Sequence, residues 1–144
     1  MRVAKSVRYP FEFPYLIDAI SGETFPGLQF RIHFAERPDQ TVDLIAHLDT
    51  GSDLSVFDGA PLVAELGLDL MSGRQRRLGT ATGFESVARI HRISLTHPLL
   101  GRVTLDAAIS TVPIRRNLLG RDFFRHVQLG LREYHQSFFI APTP

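Results

Sequence analysis

Apolar side chains recur at every second position through two consecutive stretches of this sequence. Leu28, Phe30, Ile32 and Phe34 share one side of the first stretch, with Gln29, Arg31 and His33 on the other; Val42, Leu44, Ala46 and Leu48 repeat the pattern in the second. A period of two is that of a β-strand with one face in a core. Between the stretches, residues 36–40 carry Pro38 and Asp39 and read as a turn, so the pair predicts a hairpin. Its second strand runs directly into Asp49-Thr50-Gly51-Ser52, a tight loop on a rigid support.

The rest of the chain continues in short strands. Leu54 and Val56 suggest one, and a helix is expected over 60–66, with Pro61 in its first turn and Gly67 at its left-handed end. Residues 78–95 read as a long hairpin whose tip is bounded by Gly79 and Gly83. Strands are expected at 103–109, 127–134 and 136–140, and a brief helix at 121–126 follows the buried run Leu118-Leu119. Near the start, Phe11, Phe13, Tyr15 and Leu16 alternate loosely. Residues 1–23 are expected to form an N-terminal extension, an edge strand on its own domain or an arm in a dimer, and residues 24–144 the domain proper. With no internal repeat and no linker, one mainly-β domain with barrel or sandwich-like closure is the expected architecture.

Composition bounds what such a domain can do. The 144 residues are 44% apolar and 22% charged, and a chain of this length buries roughly 68 to 70% of its extended surface, enough for one core and not for two lobes. The sixteen cations are fifteen Arg and one Lys, balanced to a net charge of +1. That balance argues against a nucleic-acid partner, and the groups Arg74, Arg76, Arg77 and Arg115, Arg116 are expected as exposed loop charges. There is no cysteine, which excludes thiol catalysis and disulfides. The six histidines show no spacing suited to a metal, and His47 is expected as a partly exposed strand residue. Arg2, Lys5, Arg8 and Glu12 interrupt the N-terminus, so neither a signal peptide nor a membrane span is expected, and a cytoplasmic address follows by default.

Asp-Thr-Gly alone arises by chance in on the order of a few per cent of chains this size. Sixty-nine residues after Asp49, however, comes Leu118-Leu119-Gly120-Arg121-Asp122, with the Gly-bounded hairpin between the two. In this order the sequence resembles the retropepsin-like aspartic proteases of bacterial type, single-lobe relatives of pepsin, over residues 28–131. The likeness rests on Asp49-Thr50-Gly51-Ser52-Asp53, on the flap-like Gly79-Thr80-Ala81-Thr82-Gly83-Phe84, and on Asn117-Leu118-Leu119-Gly120-Arg121-Asp122. It implies a mainly-β, single-domain acid-protease-like closed barrel with a flap hairpin and one or two short helices.

By that resemblance Asp49 would be the catalytic aspartate, and Thr50, Gly51 and Ser52 would support its loop, Thr50 by joining two such loops in a homodimer. Asp53 and Arg121 would form an ion pair. Gly79, Thr80, Ala81, Thr82, Gly83 and Phe84 would cover the substrate, and Ile114 and Leu118 would line apolar subsites; Phe123 and Phe124 read as core. A Ser52 hydroxyl is expected to hydrogen-bond the aspartate. No cofactor and no metal are implied. The chemistry fits independently: carboxylate hydrolysis of a peptide needs one ionised and one protonated group, and a chain with one such loop needs a second copy to supply the pair. The implied activity is that of an aspartic endopeptidase acting on extended, largely apolar peptide or protein segments, best at mildly acidic pH. The alternative is a non-catalytic peptide-binding or dimerisation module of the same fold.

Overall fold

The computed structural model describes residues 9–142; residues 1–8 of the expected N-terminal extension lie outside them. The first hairpin forms as its alternation predicts. β4 (Gly27–His33) pairs antiparallel with β5 (Val42–Leu48), setting Leu28 opposite Ala46 and Phe30 opposite Leu44. Leu28, Phe30 and Ile32 are buried, whereas Gln29 and Arg31 are exposed. His33 departs from the expected alternation and is buried. Its strand end is covered by β8 (Glu85–His97), and its ring nitrogens bond the Phe34 carbonyl at 2.9 Å and the Thr96 hydroxyl at 3.1 Å.

Six strands close a barrel in the order β4, β5, β10 (Asn117–Leu119), β6 (Val56–Asp58), β9 (Gly101–Ser110), β8 and back to β4. β8 and β9 form its longest ladder, from Ala88 opposite Ser110 to His97 opposite Gly101. Beyond the barrel, β7 (Arg74–Gly79) pairs with β8 as the projecting hairpin. Arg74, Arg76 and Arg77 were expected in a loop and instead belong to this strand. Its side chains are mostly exposed, so no apolar alternation marked it.

Two features set the ends of the short elements. Helix α1 (Gly59–Leu66) starts at Asp58, whose carboxylate accepts the Ala60 N–H at 3.3 Å, and ends at Gly67 with φ of 65°. Leu62 and Leu66 carry its inner face into the core beside Phe57 and Ile109. Helix α2 (Arg121–Phe124) buries Phe123 completely, and Phe124 packs against the core.

A separate three-stranded sheet has the order β1 (Phe11–Pro14), β12 (Ser137–Pro142), β11 (Val127–Arg132), and a two-stranded ribbon joins β2 (Leu16–Ile17) to β3 (Thr24–Phe25). Phe13 stacks on Phe138 with ring centroids 5.3 Å apart, so β1 packs onto its own chain.

Candidate active site

Asp49 sits one residue past the end of β5, where three strands converge. β10 runs parallel to β5, with Leu119 beside Leu48, and antiparallel to β6, with Leu118 opposite Val56. Asn117 ties this junction with its side chain: its carbonyl oxygen accepts the Asp58 N–H at 2.8 Å and its amide donates to the Ile45 carbonyl at 3.0 Å. The Asp49 backbone N–H donates to the Leu119 carbonyl at 2.9 Å. The Asp49 backbone is thereby fixed to the central strands of the barrel rather than to a free loop.

Within the loop, Asp49 Oδ1 accepts the Gly51 N–H at 3.0 Å. A Cβ on Gly51 would stand 3.3 Å from that oxygen, a tight approach that favours glycine there. The Ser52 hydroxyl does not hydrogen-bond the aspartate as the sequence suggested: it donates to the Leu54 carbonyl at 2.7 Å, while the Ser52 backbone N–H donates to the Asp49 carbonyl at 3.2 Å. Thr50 is exposed, and its hydroxyl has no hydrogen-bond partner among the described residues.

The loop is tied to α2 in two ways. Arg121 Nη2 donates to Asp53 Oδ1, an ion pair with both side chains largely in solvent. Beneath it lies a buried lock that sequence reasoning missed. Asp122 accepts the Ser55 N–H at 2.9 Å and the Ser55 hydroxyl at 2.7 Å, and Ser55 Oγ in turn accepts the Gly120 N–H at 3.0 Å. Gly120 has no room for a side chain, since a Cβ would meet the Leu54 carbonyl at 2.5 Å. The only sequence signal was an acid opening a short helix just after Gly120-Arg121, which reads equally as a helix-start charge.

A cleft of about 400 Å³ opens beside this loop. Gly51, Ser52 and Asp53 of the loop line it together with the apolar Leu54, Val56, Ile114 and Leu118 and with Leu78, Gly79 and Thr80 of the hairpin; Asp49 itself is not in the lining. The predicted Ile114, Leu118, Gly79 and Thr80 thus meet at one cleft. Ala81, Thr82, Gly83 and Phe84 lie in solvent at the hairpin tip, outside its lining. There the Thr80 hydroxyl accepts the Phe84 N–H at 3.1 Å and Gly83 takes a φ of 84°. A second hollow, between Phe30, Asp43 and His97, lies on the barrel wall and contains none of the loop residues.

His47 stacks flat on Phe25 at 3.6 Å. Burial, and next the charge of Arg116, hold its imidazole below the usual histidine range. No group of three or more potential metal ligands occurs among the described residues, and no helix there is long and apolar enough to cross a membrane.

No protein-family model matches this chain, and no curated protein does. Solved structures do. A retropepsin-like aspartic protease from Rickettsia conorii superposes with a TM-score of 0.56 at 16% identity, covering 91% of this chain and 98% of that one. The EIAV protease complexed with the inhibitor HBY-793 matches with a TM-score of 0.49 at 18% identity, over 76% of this chain and 92% of that one. The chain has the fold of the retropepsin-like aspartic proteases.

Proposed function

We infer that this chain is one half of a homodimeric aspartic endopeptidase, in which Asp49 of each copy meets the other across a two-fold axis. The observation that carries this reading is the Asp49 loop: its backbone N–H is fixed to the Leu119 carbonyl at the end of β5, its carboxylate accepts the Gly51 N–H, and Gly51, Ser52 and Asp53 of the same loop line a cleft of about 400 Å³. Two such carboxylates share one proton because both cannot ionise at close range. The ionised member takes a proton from water, the protonated member polarises the peptide carbonyl, and the water oxygen attacks its carbon. Activity is expected to be best at mildly acidic pH.

Thr50, exposed and without a hydrogen-bond partner among the described residues, is suited to join the two loops. β7 ends its sheet, so one of its edges has backbone groups free to bind an extended substrate as an added strand, with the residues of the hairpin tip closing over it.

The test is cleavage of a broad peptide library by wild-type protein and by Asp49→Asn, with far-ultraviolet circular dichroism to show that the variant folds. Loss of all cleavage by the folded variant, and inhibition of the wild type by a statine-type transition-state mimic, are expected. Cleavage retained by purified Asp49→Asn overturns the reading. A wild type that stays strictly monomeric and cleaves nothing indicates the peptide-binding module instead.

A further inference from the structure

The cleft beside the Asp49 loop carries two chemistries. Its lining combines the apolar Leu54, Val56, Ile114 and Leu118 with four arginines, Arg76 and Arg77 from β7 and Arg115 and Arg116 from the loop before β10. Their partners within the chain are loose: Arg77 stands 3.9 Å from Glu85 and Arg115 3.9 Å from Asp18, both beyond hydrogen-bond reach, and Asp18 also feels the charge of Arg116. Arg76 has no ion-pair partner among the described residues, and the one carboxylate in the lining, Asp53, is already engaged by Arg121.

Resting on the peptidase reading, we propose that the cleft selects acidic segments: extended peptides whose apolar side chains meet Leu54, Val56, Ile114 and Leu118 while neighbouring Asp or Glu residues pair with the lining arginines. An extended chain turns successive side chains to opposite sides, so apolar and acidic residues that alternate along it can serve the two kinds of lining at once. Guanidinium is charged at every working pH and its fork matches a carboxylate, which makes an arginine lining a carboxylate selector. Nucleic acid is the poorer occupant, because no aromatic side chain lines the cleft to stack a base.

The experiment uses two peptides with one apolar core, flanked by Glu in the first and by Gln in the second. Binding is measured by fluorescence anisotropy on full-length Asp49→Asn, with an oligothymidylate as competitor, and kcat/KM is measured on the wild type. The Glu peptide is expected to bind and be cut about tenfold better at low salt, an advantage that shrinks toward unity near 1 M NaCl. The double variant Arg76→Gln/Arg116→Gln should lose most of that ratio while melting at the wild-type temperature, both side chains being exposed. Equal or absent binding of the two peptides, a ratio unchanged in the double variant, or displacement by the oligonucleotide below the concentration of Glu peptide needed, overturns the proposal. A Glu preference in binding with no cleavage by the wild type upholds it and removes the peptidase reading; equal cleavage of both peptides does the reverse.

Discussion

The Asp122 carboxylate accepts hydrogen bonds from the Ser55 backbone, from the Ser55 hydroxyl and from the Phe123 N–H at 2.8 Å, and Ser55 is fully buried. Removing that carboxylate leaves buried donors without partners, which costs far more than losing an exposed pair. Asp53 and Arg121 are such an exposed pair, with side chains 72% and 60% accessible, and pairs of that kind contribute about 1 kcal/mol or less. Asp122→Ala is therefore expected to destabilise the protein by about 3 kcal/mol and to lower its Tm by about 10 °C. Asp53→Ala should shift Tm by no more than a few degrees. Thermal melts of the two variants decide the ranking, and equal losses would contradict it. The resemblance pointed to Asp53 and Arg121 because they occupy the two positions that the family's pattern pairs. The stronger Ser55–Asp122 lock joins residues 67 positions apart through a serine that looks like any loop serine.

At the scale of elements, the sheet of β1, β12 and β11 is fastened to the barrel through aromatic contacts around His97. Its ring lies edge-on to Phe13 and Phe30, each at 5.6 Å, and burial holds its imidazole below the usual range. A histidine with a depressed folded-state pKa binds its proton more readily when unfolded. Its contribution is therefore intact above the unfolded value of about 6.5 and is lost as pH falls below it. His47, lowered chiefly by burial, acts in the same direction. The urea midpoint should fall between pH 7.5 and 5.5, and His97→Phe should fall less steeply over that range. Parallel slopes would exclude His97 as a cause. The strands themselves were legible where a core covers one face, as in β4, β5 and β9. They were not where tertiary pairing overrides the pattern: His33 is buried because β8 covers its strand end, and the arginines of β7 extend without burying a face. The Asp49 loop stood out because its motif ends an apolar alternating strand, whereas Ile114 and Leu118 were reached only through the family resemblance; both line the cleft. The bond of the Ser52 hydroxyl to the Leu54 carbonyl was not legible, since nothing in the sequence favours that acceptor over the neighbouring carboxylate.

For the molecule as a whole, one six-stranded barrel carries one Asp49, and the proposed hydrolysis requires two such carboxylates. If the second comes from another copy, activity depends on the population of dimer and is lost on dilution below its dissociation constant. Mixing copies gives a sharper test than dilution. At fixed wild-type concentration well above that constant, an equal amount of Asp49→Asn converts half of the wild-type chains into mixed dimers lacking one carboxylate. The cleavage rate should fall to about one half. A rate that stays at its starting value after the subunits have exchanged, shown by exchange of fluorescent labels, would mean that each chain holds a whole active site and would contradict the shared Asp49 pair.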